Sequence, residues 1–428
     1  MKRALFLLLL LLAASLMLPN CGSSSKSGTT TTSSGLTHRA FFTENVSAGT
    51  ITAGVYIVNA QTDVRPSVAP ISAGNTPGMM VLTPNRTQTL VFSPEEDQFT
   101  VITNASETAA NHITVPGFTE SFVVSPDSTT AYAAVPTAAV VGQSPGAVEV
   151  ISLSSVTFTG EVAIPSVRYL SIDNAGNRIL AFSDNSDSVA VITPLNIGTN
   201  TGAVTYVGGF DRPVAAFFSS DDTTAYVVNC GAECGGTQAS VQTVDLTTNI
   251  AGKAVPVPAA SAAMLNGTTM YLAGTPVSAS PCTGQTTAAT TCGLLTIFDL
   301  SSMTATKSGI AITDGYHDHL ALGANGRLFI GARTCAEITA ASPGAEVRGC
   351  LSIYNTQTGA VVIPLANGDV TGMQPIPNRT VVYVVQNGAL AIYDTATDAL
   401  EHNPNNPNNP GQIFNLIGQF VDVKMVDP

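Results

Sequence analysis

The sequence contains no tryptophan, and only 16 of its 428 residues are Lys or Arg, against 29 Asp or Glu. Charged residues make up 11% of the chain, under half of the roughly 25% usual in soluble domains. The hydrophobic share is an ordinary 44%, so scarce charge does not signal disorder. A formal charge of −13 repels phosphate backbones, and few aromatics leave little for base stacking, which excludes nucleic acid as a partner. Missing too are a CxxCH for covalent haem, a GxSxG nucleophile elbow and an HExxH zinc helix, so haem c attachment and the common serine hydrolase and metalloprotease signatures are absent. Beyond the first eighteen residues no long stretch has helical periodicity. What is present instead is Gly (37), Pro (25) and short β-branched runs between Asn, Asp and Gly turns, which reads as all-β.

Lys2 and Arg3 precede an apolar run from Ala4 to Leu18. Its length falls short of the about 20 residues of a spanning helix and suits a secretory signal over residues 1–20. Leu18-Pro19-Asn20-Cys21 resembles the lipobox of bacterial lipoproteins, with Asn20 where that family carries Gly, Ala or Ser. The resemblance implies lipidation of Cys21 and, with Gly22 following, residence at the outer membrane of the cell envelope, facing periplasm or surface. Residues 21–37 contain GSSSKSGTTTTSSG, a flexible tether with a reach of about 20 Å. The expected partner is therefore the membrane, through a lipid anchor on a monomeric body.

Six further cysteines remain: Cys230, Cys234, Cys282, Cys292, Cys335 and Cys350. In an exported chain an even set reads as disulfides. Adjacency favours Cys230 with Cys234, Cys282 with Cys292, and Cys335 with Cys350, among fifteen arithmetically open connectivities. A metal at CGAEC is the rival reading, but no CxxC pair or flanking His completes four ligands.

The strands repeat. SPDSTTAY from Ser125 returns as SSDDTTAY from Ser219, and weaker copies start at Thr83, Met264, Gly323 and Ile376. Each holds an Asx residue suited to a tight turn, and Asp173 and Asp427 extend the series to eight (Asn85, Asp127, Asp173, Asp221, Asn266, Asn325, Asn378, Asp427). The following strands, such as AVEVIS from Ala147, LLTIFD from Leu294 and ALAIYD from Ala389, complete four-stranded units, the pattern of β-propeller blades. The chain ends on a first strand, FVDVKMVDP from Phe420, and ordered sequence begins at His38 with a second strand, RAFFTEN. One blade is thus split between the termini of a domain spanning 38–428. Seven whole blades and the split one make eight; seven blades in all, with one unit mis-split, is the alternative.

The S/T-P-D/N-x-T-x-x-Y strand pair followed by Tyr226-Val227-Val228-Asn229 or Tyr383-Val384-Val385-Gln386 resembles the YVTN-type, lactonase-like propellers. The resemblance covers nearly all of 38–428 and implies a fold, not a chemistry. WD40, kelch and quinoprotein rings rely on tryptophans that are missing here.

Long second-to-third loops and the interblade links share one face of such a ring. The links carry Glu120, Arg168, Asp211, Arg212, His317, Asp318, His319 and Asp369, which are the candidate binding residues at the channel mouth. Alternation along an extended strand places His317 and His319 on one side, where a divalent metal or acid–base chemistry is conceivable; no third ligand is evident and no cofactor is expected. The same residues also fit a merely solvated mouth. The expected function is a binding or protein-interaction module taking an envelope protein or a small ligand, with a lactonase-like or metal-dependent hydrolase around His317 and His319 as the alternative. HNPNNPNNP from His402 reads as an extended solvated loop.

Overall fold

The computed structural model describes residues 33–47, 52–197, 202–278, 282, 291–336, 349–364, 368–401 and 419–428. The expected signal segment, Cys21, most of the expected tether and the Asn-Pro tract lie outside them. Among the described residues the only helical elements are three short 3-10 turns; the rest of the regular structure is strand.

Seven antiparallel sheets of consecutive strands follow one another along the chain, six of four strands and one in which Val255–Pro256 adds a short fifth, and an eighth joins the two ends of the chain. Blades 1 to 7 open with the strands Met80–Leu82, Ser121–Val124, Val167–Ile172, Pro213–Phe218, Ala262–Asn266, Tyr316–Leu322 and Val370–Pro375. In blade 8 the C-terminal Phe420–Met425 pairs with Arg39–Glu44, which pairs with Gly54–Asn59, and Ile71 bridges Val55 at the edge. The ring therefore has eight blades, closed by strand pairing between the two ends, as the terminal half-repeats predict. Buried apolar clusters lie between successive blades; one joins Tyr132 and Val148 of blade 2 to Leu170 and Ile179 of blade 3.

The repeated turn is built identically in its two best copies. The Asp127 carboxylate accepts bonds from the Ser125 hydroxyl (2.5 Å), the Thr129 amide (3.0 Å) and the Thr129 hydroxyl (2.9 Å). Asp221 does the same with Ser219 and Thr223 at 2.6, 3.2 and 2.9 Å. These bonds hold both carboxyls below the usual range, the serine hydroxyl contributing most. The left-handed residue is the next one along, Ser128 (φ 64°) or Asp222 (φ 55°). The acid acts as an acceptor hub and leaves the strained backbone to its neighbour.

Arg39 locks the seam. Its Nε and Nη2 each donate to the Asp427 carboxylate at 2.8 Å, and its Nη1 reaches the Asn104 carbonyl (2.6 Å) and Glu107 (3.0 Å) in blade 1. On the other flank Arg379 of blade 7 pairs with Asp63, which also accepts from Tyr383. Bidentate arginine pairs thus tie the two ends of the chain together within blade 8 (Arg39–Asp427) and join blade 8 to blade 7 (Arg379–Asp63), the planar fork matching a carboxylate.

All three short-range disulfides form: Cys230–Cys234, Cys282–Cys292 and Cys335–Cys350, with Cα atoms 5.6, 5.2 and 5.5 Å apart. Each closes a connection between the second and third strands of its blade, adding about 2 to 3 kcal/mol in the chain-entropy model.

Candidate functional site

The innermost strands are not regular. In five blades the pairing of first with second strand skips one residue close to where the first strand begins. Val167 pairs with Ser183 but Tyr169 with Phe182, leaving Arg168 extra. Val214, Asp318 and Thr371 are the extra residues of blades 4, 6 and 7, and the shift in blade 8 falls at Val421–Asp422. Blades 1, 2 and 5 pair without a shift. A bulge breaks the two-residue alternation and re-aims side chains. Here the residue before it is buried between blades (Val167, Pro213, His317, Val370, Phe420), while the bulged residue and often its successor face the central channel.

The channel holds a cavity of about 520 Å³, lined by Arg168 and Tyr169, Asp318 and His319, Thr371, and Val421 with Asp422 from the bulges, and by Met80, Glu120, Arg333 and Lys424 around them. Beyond it a chamber of about 320 Å³ lies against Asp184, Arg212, Val214 and Glu233. Both are lined by Tyr169 and Tyr316. The hydroxyls of these two tyrosines, from blades 3 and 6, are 2.9 Å apart and form a crossbar between the two spaces. Burial first, and then the neighbouring phenol, raises Tyr169 above its ordinary range; burial likewise raises Tyr316. Both are neutral donors at physiological pH.

Charges around the cavity come in pairs. Arg168 Nε donates to Glu120 at 2.6 Å, and its Nη1 lies 3.3 Å from Asp184; its guanidinium stacks 5.2 Å from the Tyr169 ring centre. Asp318 sits 2.5 Å from His319 Nδ1 and 2.6 Å from Arg333 Nε. Lys424 lies 3.0 Å from Asp422, and Arg212 3.0 Å from Asp187.

Of the eight candidates, the structure brings Glu120, Arg168, Asp318 and His319 together at the larger cavity and Arg212 at the smaller chamber. Arg168, His317, Asp318 and His319 lie within first strands, not in the links. Asp211 and Asp369 hold loops in place. The Asp211 carboxylate accepts from the Thr237 and Gln238 amides (3.0 and 2.8 Å) and from the Thr237 hydroxyl. Burial pushes Asp211 up, but these bonds outweigh it and keep it below the usual range. Asp369 accepts from the Thr334 amide at 2.8 Å.

His317 departs from expectation. The bulge at Asp318 ends the alternation, so His317 and His319 do not share a side: His317 is 0% exposed and occupies the place held by Val167 and Val370 in neighbouring blades. An added Cβ on Gly293 would come within 2.6 Å of its ring, so the imidazole packs directly on that glycine. Burial drives its pKa down to about 4, against the opposing pulls of Thr313 and Asp318. Among the described residues no three His, Cys, Asp or Glu side chains gather as a metal-ligand group.

Glu233, in the CGAEC turn, was missed by motif reasoning. The Cys230–Cys234 bridge closes the turn Gly231–Cys234, and Gly231 adopts φ 60° against the Gln238 and Ala239 backbone, where a Cβ would sit at 2.2 Å. The carboxylate reaches over Gly274, whose missing side chain leaves the space: a Cβ there would lie 2.7 Å from Glu233 Oε2. The Thr275 amide donates to it at 2.9 Å. The Ser261 hydroxyl is also in reach, its one proton shared with the His317 carbonyl at 3.1 Å. Burial raises Glu233 to about 7, with the Thr275 and Ser261 bonds opposing. Its sequence signal was the short disulfide turn itself, which places an acid at a position no repeat copy shares.

No family model matches the chain, and no curated protein matches it. Solved structures do. Over 75% of this chain and 96% of the other it resembles hydrazine synthase from Kuenenia stuttgartiensis, at 12% identity and a TM-score of 0.54. Over 92% of this chain and 75% of the other it resembles the dihydro-heme d1 dehydrogenase NirN solved in complex with DHE, at 10% identity and a TM-score of 0.62. A functionally unknown protein from Desulfotomaculum acetoxidans matches over 77% of this chain and 97% of its own, at 17% identity and a TM-score of 0.50. At such identities the likeness carries architecture alone: the chain is an eight-bladed β-propeller.

Proposed function

We propose that this protein is an exported, lipid-anchored propeller that binds a small polar ligand in its central channel, on the face of the stapled loops. The observation that carries this reading is the recurrent bulge, which turns Arg168, Tyr169, Asp318, His319, Thr371 and Asp422 toward a shared cavity of about 520 Å³. Five strands making the same departure from regular pairing is a cost in ladder hydrogen bonds that a purely structural channel does not require. Alternating opposite charges on the wall suit a neutral or zwitterionic polar molecule better than an apolar one. The lipobox-like Leu18-Pro19-Asn20-Cys21 and the three disulfides agree with an envelope location, and the YVTN-type strand pair agrees with a binding propeller.

The test is a thermal-shift screen of small polar metabolites on the full chain, repeated on Arg168→Met and His319→Ala. A hit whose shift shrinks in both variants supports the channel site; hits indifferent to both refute it. Cys21→Ser should move the protein from the membrane to the soluble fraction, and retention in membranes would refute the anchor. A hydrolase using His317 and His319 together is not favoured, because the bulge separates them.

A further inference from the structure

The smaller chamber differs from the rest of the channel in one respect. Its cations are already matched, Arg168 by Glu120 and Asp184, and Arg212 by Asp187. Its half-buried acid is not. Glu233 receives one amide hydrogen bond and a share of one hydroxyl, and among the described residues no Lys, Arg or His forms an ion pair with it. A carboxylate partly withdrawn from water without a counter-ion is destabilised in its charged form unless it takes up a proton or a cation arrives. Yet the fold goes to some length to hold it there, with a disulfide-closed turn, a left-handed glycine at 231 and a side-chain-free position at Gly274. Beside it stands Tyr316, which lines the same chamber as Glu233, Tyr169 and Phe182. Aromatic side chains next to a carboxylate complement an organic cation.

We propose that the Glu233 chamber binds a small organic amine, whose ammonium group pairs with the Glu233 carboxylate beside Tyr316 and Tyr169. The proposal rests on the channel-binding reading above and narrows it to a ligand class and a position. The ammonium supplies the charge the chamber lacks and donates to the carboxylate oxygens; the tyrosine crossbar closes the space on the side of the larger cavity.

Because Glu233 must be ionised to form the pair, binding depends on pH. Thr275 and Ser261 from blade 5 bond it, and the other groups around the chamber are Tyr169, Arg168 and Asp184 from blade 3, Arg212 from blade 4, and Tyr316 with the backbone of His317 from blade 6. Burial raises both tyrosines and lowers His317 to about 4, and guanidinium stays charged throughout. A profile between about pH 5.5 and 8 therefore reads Glu233, with its pKa of about 7. Affinity for an amine falls as pH falls, approaching about tenfold per unit below that pKa.

The experiment is calorimetric titration of the detergent-purified full chain with n-butylamine, n-butanol and butyrate, on wild type and Glu233→Gln. The expected result is binding of n-butylamine alone at about pH 8, weakened at least about tenfold by Glu233→Gln and weakened progressively by acidification below about pH 7, up to about tenfold per unit. An amine affinity indifferent to both pH and the variant overturns the proposal. Binding of butyrate or n-butanol in place of the amine also overturns it while leaving the channel-binding reading intact; a channel that takes no probe and yields no hit in the metabolite screen ends both. If Glu233→Gln does not fold, the wild-type pH profile decides the matter by itself.

Discussion

The hydroxyls of Tyr169 and Tyr316 meet 2.9 Å apart across the channel and tie blade 3 to blade 6, a contact between residues 147 positions apart in sequence. Most contacts in a propeller join a blade to itself or to its neighbour, so stability is close to a sum over nearest-neighbour terms. This bond is an exception and couples distant parts of the ring. Tyr169→Phe and Tyr316→Phe should each cost about 1 kcal/mol. In a double-mutant cycle followed by urea unfolding, the coupling should be about 0.5 to 1 kcal/mol; strict additivity would mean the two hydroxyls do not stabilise one another.

His317 makes the protein acid-sensitive. Its pKa is 6.5 in the reference state and about 4 when folded, so between those values the unfolded chain holds a proton that the folded chain does not. Stability that is complete above about pH 6.5 is lost as pH falls toward 4, by up to about 3 kcal/mol. His317→Val, which copies the residue at the matching place in blades 3 and 7, should behave like wild type at neutral pH. It should be the more stable protein near pH 4.5, as read by melting temperature across that range. Parallel pH profiles for the two proteins would contradict the assignment.

Glu233 has the opposite sign. Its pKa rises from 4.5 to about 7 on folding, so the folded chain holds the extra proton and stability present below about pH 4.5 declines as pH climbs to 7. Glu233→Gln should gain about 2 kcal/mol at pH 8 and change little at pH 4. A destabilised Gln variant at pH 8 would show that an unrecognised cation already compensates the carboxylate.

The Arg39–Asp427 clasp should be the most sensitive point of the seam. Arg39→Met leaves Asp427 and the buried Glu107 without their cation, a loss of about 3 to 5 kcal/mol by analogy with broken buried pairs. Hydrogen exchange should show blade 8 opening ahead of the others. A cost under about 1 kcal/mol would mean that strand pairing by itself holds the ring shut.

Much of the architecture was legible before any coordinates. SPDSTTAY and SSDDTTAY form superimposable turns because a serine, an acid and a threonine at these spacings satisfy one another locally, and local hydrogen bonding survives transfer from sequence to structure. The cut blade was equally plain, since a chain that stops after a first strand and starts on a second can bury those edges only by pairing them. Disulfide partners followed from adjacency because each pair lies within one loop.

The site was only partly legible. Glu120, Arg168, Asp318, His319 and Arg212 stood out as scarce charges assigned to the interblade links, and they do reach the larger cavity or the smaller chamber. Asp211 and Asp369 carry the same signal yet bind loop amides, because a carboxylate near free backbone N–H groups satisfies them first. His317 was misplaced by assuming unbroken alternation.

What the sequence by itself determined is the repeating strand, the turn chemistry and the closure of the ring, all set by short-range pattern and the need to bury strand edges; between eight blades and seven it left a choice that the structure resolves as eight. What only the tertiary structure decided is which side chains face the channel. That choice depends on one unpaired residue per bulged strand, which leaves no periodic trace in the chain, and on the empty space over Gly274 that lets Glu233 in.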